Sequence, residues 1–173
     1  VLTKKIGAGM VTTAVRQGVE GVSAETFAEC VSSMKTLNAV AGGLMFKYGV
    51  RAATDVTGFG LVGHSHNIAE ASGVQFNLSY KLIPKFANIE NLPPTCSRGG
   101  GDRNREWMKT KVVLEPGITD QQSAVLSDPQ TSGPLLMAVP SDKVDAFLAE
   151  LHSAGVSTAA VIGEAVQGDA GKI

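Results

Sequence analysis

An α+β fold is expected, a mixed β-sheet with helices packed on it in layers. Three features of the sequence point to it. Helical and strand-like stretches alternate along the chain, and no internal repeat interrupts them. Of the 173 residues 43% are apolar, enough for a sizeable core. At 17.9 kDa the chain fits one domain.

Residues 2–6 and 11–15 read as β structure broken by Gly7 and Gly9. On that reading residues 1–15 are linking strands and 16–173 the domain proper. Ser23 is a candidate N-cap, with Glu25 favourably placed in the first turn. Phe27, Val31, Met34, Leu37, Ala41, Leu44 and Tyr48 then recur at steps of three and four. That stripe predicts one long amphipathic helix, ended by Gly49. Gly42 and Gly43 inside it cost roughly 1 kcal/mol each relative to Ala, so another backbone is expected to pack closely there. Residues 51–55 form a short strand, 56–60 a glycine-rich turn, and 61–72 a helix closed by Gly73. Val74, Phe76 and Leu78 alternate as a strand. Residues 80–111 carry Pro84, Pro93, Pro94 and Gly99 to Gly101 without periodicity, so an irregular functional or mobile segment is expected. Beyond it come a short helix at 119–126, an apolar strand at 135–139, a helix capped by Ser141 and stopped at Gly155, and a last strand at 158–166.

Composition excludes several classes of function. With 15 Lys and Arg against 16 Asp and Glu, the net charge of -1 lacks the basic excess of a nucleic-acid binder. No apolar run reaches the roughly 18 residues a membrane span needs. Cys30 and Cys96 make neither a disulfide framework nor a zinc set, so both are expected to be structural and the setting reduced and cytoplasmic. The chain opens at Val1 without a Met or a leader-like segment, and its natural N-terminus is expected to lie upstream.

Asp55, Thr57, Gly58 and Gly60 crowd one strand-to-helix junction. Glycines there let a backbone approach a ligand, and free N–H groups at the start of the next helix favour anions. A carboxylate beside such a loop repels phosphate unless a divalent cation stands between them. Mg²⁺ is typically held by one or two carboxylates plus substrate phosphates. The plain structural alternative is that Asp55 caps the turn by accepting from a nearby backbone N–H. Gly58, Gly60 and Gly63 also fit the dinucleotide fingerprint, but that pattern needs an acid about 20 residues on, where Asn77, Leu78, Ser79 and Tyr80 offer none. A second polar loop at 127–134 holds Asp128, Gln130, Thr131 and Ser132, and its residues alone favour a well-fixed turn. His64 and His66 point to different sides of a helix, which argues against a shared metal. His152 lies on a surface-type helix, Trp107 is expected to pack rather than stack on a base, and Lys4 and Lys5 read as a solvated strand end.

Residues 54–64, read as Thr-Asp-Val-Thr-Gly-Phe-Gly-Leu-Val-Gly-His, together with Asp128-Pro129-Gln130-Thr131-Ser132-Gly133, closely resemble the selenophosphate synthetases (selenide, water dikinases). These belong to the aminoimidazole-ribonucleotide-synthetase-like superfamily. Leu2 to Lys4, Gly7 to Gly9 and Thr12 to Ala14 resemble the family's entry into its C-terminal domain. Gly99, Gly100, Arg103 and Asn104 resemble its irregular loop, and Ile162 to Glu164 its closing strand. The resemblance implies the C-terminal half of an enzyme that makes selenophosphate, AMP and phosphate from ATP, selenide and water for selenoprotein synthesis. It implies Mg²⁺, and a homodimer formed through the other half. In that family the nucleophile and most nucleotide contacts lie in the N-terminal half. That half is expected to be absent from this chain, which alone is then inactive as a dikinase. Asp55 falls on the family's metal-binding Asp, and Thr57, Gly58 and Gly60 on the backbone that approaches the phosphates of ATP. Pro134 stands where the family usually has a second Gly, Gly101 where it commonly has Thr, and Lys5 where Pro is frequent. Two other readings remain open: a non-catalytic interaction or folding module, and a sibling ATP-dependent kinase of the superfamily.

Overall fold

The computed structural model describes residues 1–97 and 99–173. Its strands are short. β1 (Ala52–Asp55) pairs antiparallel with β3 (Leu135–Ala138), and β2 (Gln75–Leu78) pairs antiparallel with β4 (Gly163–Val166). Leu2 stitches the two pairs together. It bridges Leu136 on one side and Ala160, just ahead of β4, on the other, and its N–H donates to the Ala160 carbonyl at 2.9 Å. The expected mixed sheet is therefore two antiparallel pairs joined by the first residues. Among the described residues its parallel component is the isolated bridge between Ile6 and Lys85. The expected strand at 158–166 is correspondingly reduced to β4 and that Ala160 bridge.

The expected strand at 11–15 is a helix, α1 (Ala8–Gln17). Val11, Thr12, Thr13 and Val15 are β-branched and favour a strand locally. The helix start is instead held by a distant loop. Gln130 Oε1 accepts from Gly7 N–H at 3.0 Å and Ala8 N–H at 3.1 Å, and Asp128 Oδ2 accepts from Met10 N–H at 3.1 Å. Donors that a helix N-terminus leaves orphaned are thus satisfied from outside the segment, and tertiary contact overrides propensity. Leu2, Ile6, Met10 and Val11 are fully buried, so the opening residues close the core rather than lead into it.

The expected long helix is two: α2 (Ala24–Lys35), capped by Ser23 accepting from Thr26 N–H, and α3 (Ala39–Tyr48). Lys4 explains the break. Its ammonium donates to the Ser33 carbonyl at 3.3 Å and the Thr36 carbonyl at 2.7 Å, ending α2 with a cation on its terminal carbonyls. Asn38 then donates to the Gly133 carbonyl at 3.0 Å and fixes the turn. Gly42 and Gly43 have open space where a side chain would stand, so no backbone among the described residues packs on them. Gly49 ends α3 in the left-handed conformation, as expected.

Helix α4 (Gly60–Ser72) follows β1 and is closed by left-handed Gly73. The stretch expected to be irregular, apart from Arg98, which lies outside the described residues, is built of 3₁₀ turns and helix α5 (Gly100–Met108). Ile83, Phe86, Ile89, Leu92 and Cys96 are buried along it, and they order the segment without any sequence period. α6 (Asp120–Leu126) opens with a Thr119–Gln122 capping box. α7 (Val144–Ser153) begins later than Ser141 suggested, after a turn and without a side-chain cap. The main core lies between α1, α4 and the 83–96 segment. A second cluster, built on Ala41, Val50, Met137, Phe147 and Leu151, lies under α3 and α7.

Candidate functional site

β1 delivers Asp55 to its C-terminal end, where the side chain is exposed. The next residue, Val56, is fully buried and donates its N–H to the Pro134 carbonyl at 2.8 Å, which pins the strand end. The chain then turns through Thr57, Gly58 and Phe59 into α4. The Thr57 carbonyl accepts from Gly60 N–H at 3.1 Å and from Gln130 N–H at 2.9 Å. Gly60 has φ of 70°, and a Cβ there would lie 2.7 Å from the Ser127 carbonyl carbon, so only glycine fits. Its role is packing. Gly58 has open space around it. The two loops singled out in the sequence therefore meet back to back, one exposing Asp55, Gly58 and Phe59, the other standing behind them.

The exposed loop leaves its charges and dipoles uncompensated. Among the described residues no cation forms an ion pair with Asp55. α4 starts with neither a side-chain cap nor an acid in its first turn, so its leading N–H groups meet no negative side chain. His64 Nε2 lies 3.2 Å from Thr57 Oγ1 and orients that hydroxyl. Burial lowers the His64 pKa against the opposing pull of Asp55, so the ring is neutral at neutral pH. The group fits what Mg²⁺ requires: an uncompensated carboxylate that leaves most coordination positions to water and phosphate. Among the described residues no group of three or more His, Cys, Asp or Glu converges, so the fold builds no complete protein cage.

The second loop's polar side chains are used inside the fold. Asp128 is 1% exposed. Besides Met10 N–H, it accepts from Gln130 Nε2 at 3.0 Å and Ser97 Oγ at 3.3 Å. Burial nevertheless pushes its carboxyl up to about 7. Lys4 donates to the Ser132 carbonyl at 2.9 Å and holds that residue at a φ of 47°, unusual for a side chain with a Cβ. Lys4 is thus buried, against the expectation of a solvated strand end; Lys5 pairs with Glu29 at 2.6 Å. Pro134 is accommodated because its carbonyl, not an N–H, meets Val56. Gly133 is the residue that must lack a side chain, since a Cβ would overlap the Val56 carbonyl oxygen. At Gly101 the hydroxyl of Ser97 occupies the space a Thr would fill.

The remaining candidates are structural. His66 Nδ1–H donates to the Gly171 carbonyl at 2.7 Å, which leaves Nε2 to accept from Lys111 at 2.8 Å. His152 Nε2 bonds the Ala159 carbonyl at 2.8 Å. Trp107 packs edge-on against His66, with ring centroids 5.6 Å apart. Cys30 and Cys96 are buried free thiols.

The whole chain, residues 1–173, matches the family described as AIR synthase related protein, C-terminal domain. The chain belongs to this family. Among curated relatives, the selenide, water dikinase of Porphyromonas gingivalis strain W83 is 38% identical over 176 residues, covering 100% of this chain and 49% of that protein. The chain spans about half the length of the curated relatives it matches. Among solved structures, E. coli HypE superposes with a TM-score of 0.66 at 22% identity, covering 97% of this chain and 43% of that one. Hydrogenase maturation protein HypE in complex with ATP gives 0.62 at 19% identity, covering 98% of this chain and 44% of that one. These two show that the chain shares its α+β fold with HypE.

Sequence reading did not assign roles to Asn104 and Ser97, nor the capping of α1 to Asp128 and Gln130. The first two lie in the stretch that showed no period. The bonds of the last two reach residues more than 100 positions away, which no local pattern encodes.

Proposed function

We propose that this chain is the AIR synthase-related half of a selenide, water dikinase, an enzyme that converts ATP, selenide and water to selenophosphate, AMP and phosphate. Identity of 38% across the full chain with the Porphyromonas gingivalis relative supports the activity class. The observation that carries the site is the exposed, unpaired Asp55 at the end of β1, beside the open backbone of Gly58.

On this reading Asp55 would hold magnesium through its carboxylate, and the bound ion would supply charge neutralisation to the phosphates of ATP. Phosphoryl transfer asks the protein mainly for positioning and for fixed charge and dipoles. The Thr57–Gly60 backbone approaches the phosphates, with Gly58 admitting them and Gly60 setting the turn. Neutral His64 keeps the Thr57 hydroxyl in one orientation without adding a charge. Val56, locked under Pro134, keeps Asp55 from swinging with the loop. Free, buried Cys30 and Cys96 suit a reducing cytoplasm. By itself the chain offers one carboxylate and one loop, too few contacts to offset the cost of immobilising a nucleotide, so Mg·ATP binding by it alone is weak.

The test is selenide-dependent AMP formation from ATP by the protein at its full natural length, with and without Asp55→Asn. Loss of activity with retained folding is expected. Near-wild-type turnover at ordinary Mg²⁺ removes Asp55 from the site, and no AMP from the wild type removes the dikinase reading.

A further inference from the structure

The two loops that meet behind Asp55 are joined by a side chain that belongs to neither. Asn104 of α5 is buried, and its Nδ2 donates to the Gly58 carbonyl at 2.8 Å and to the Ser127 carbonyl at 3.0 Å. Both hydrogens of one amide thus reach the exposed loop and the loop that supports it. Every peptide bond described is trans, so the peptide carrying the Gly58 carbonyl carries the Phe59 N–H on its opposite edge. Drawing that carbonyl inward aims the Phe59 N–H outward. Among the described residues no acceptor takes that N–H. A side chain at Gly58 would meet nothing within 4 Å, and glycine has a wide conformational range, so apart from Asn104 little holds this peptide in one orientation.

We propose that Asn104 is a positioning residue for the Asp55 loop: by fixing the Gly58 carbonyl it directs the Phe59 N–H at an oxyanion ligand bridged to Asp55 through a cation. The proposal rests on the dikinase reading for the identity of that oxyanion, a phosphate of ATP. Its geometry does not. A backbone donor fixed in advance contributes most where charge develops, because it needs no reorientation during the reaction. Asn104 should therefore act on turnover more than on binding of the nucleotide.

Asn104→Asp keeps the shape and removes both donors, and Asn104→Ala removes the group. In the protein at its full natural length both are expected to lower kcat for AMP formation, by up to about 100-fold for a displacement near 1 Å. KM for Mg·ATP should stay close to the wild-type value, and the thermal midpoint should fall by only a few degrees. Wild-type kcat in both variants overturns the proposal, as does a loss of rate matched by loss of folded protein. If the wild type forms no AMP, the dikinase reading fails by itself and this chain alone decides the role of Asn104. Mg²⁺ with millimolar inorganic phosphate added to ¹⁵N-labelled chain should shift the amide signals of Asp55 and Phe59. In Asn104→Asp the shift should persist at Asp55 and be lost at Phe59, whose N–H is no longer aimed at the anion. An identical pattern in the two proteins, or no shift at Phe59 in the wild type, overturns the proposal.

Discussion

Asp128 places opposing forces on one carboxyl group, and replacing it with asparagine measures which prevails. Three donors point at the group, from Met10 N–H, Gln130 and Ser97, and the start of α1 adds a favourable dipole. Against them stands nearly complete burial, and burial prevails, raising the pKa from 3.8 to about 7. The folded state then binds the proton more tightly than the unfolded chain. Stability from this group is complete below the unfolded pKa and is lost as pH rises through the folded one. The gap corresponds to roughly 4 kcal/mol at full ionisation, a large share of the ~5–15 kcal/mol that holds a domain together. Asparagine keeps an acceptor for Met10 and Gln130 and does not titrate. Urea unfolding of both proteins at about pH 5 and about pH 8 should show the wild type losing roughly 3 kcal/mol relative to Asp128→Asn over that interval. Taking the difference cancels the titration of every other group. A constant difference would mean that Asp128 is ionised throughout, with its donors outweighing burial. Asp128→Ala at any pH strands several buried donors, at about 1–3 kcal/mol each.

Two further substitutions test the framework of the site. Gly60→Ala forces a Cβ onto a residue with φ of 70° and against the Ser127 backbone, so a loss of about 2 kcal/mol or more is expected, read from the denaturant midpoint; an unchanged midpoint would mean the two loops are not in contact. Lys4→Met leaves the Ser33, Thr36 and Ser132 carbonyls without their shared donor, and thermal unfolding should report a loss of about 1–3 kcal/mol. Amide exchange in that variant should rise at the end of α2 and around Ser132, and unchanged protection there would contradict the role given to Lys4.

Elements whose signals are local were legible before any coordinates. Ser23 caps a helix through a side chain that reaches only three residues ahead, and Gly49 and Gly73 end helices by a backbone conformation. The order of β1, the polar turn and α4 follows from residues 51–72 alone, and with it the placement of Asp55 at an exposed strand end. Elements decided at long range were misread. Residues 11–15 carry strand propensity, yet Asp128 and Gln130 impose a helix; residues 27–48 carry one helical period, yet Lys4 divides it. The 80–111 stretch is ordered by scattered apolar residues that meet the core at no fixed interval.

By itself, then, the sequence determined the fold class and the chain's family and singled out Asp55 as the residue proposed to hold a cation, because each of these rests on contiguous motifs and local periodicity. Only the tertiary structure decided that the two motif loops form one body. Asn104 fastens them, Gly60 lets them touch, and Lys4 and Asp128 tie their supports to the opposite end of the chain. The physical reason is one of reach. A hydrogen bond is satisfied wherever its partner comes to lie in space, and a single polar side chain leaves no periodic trace of a partner more than 100 residues away.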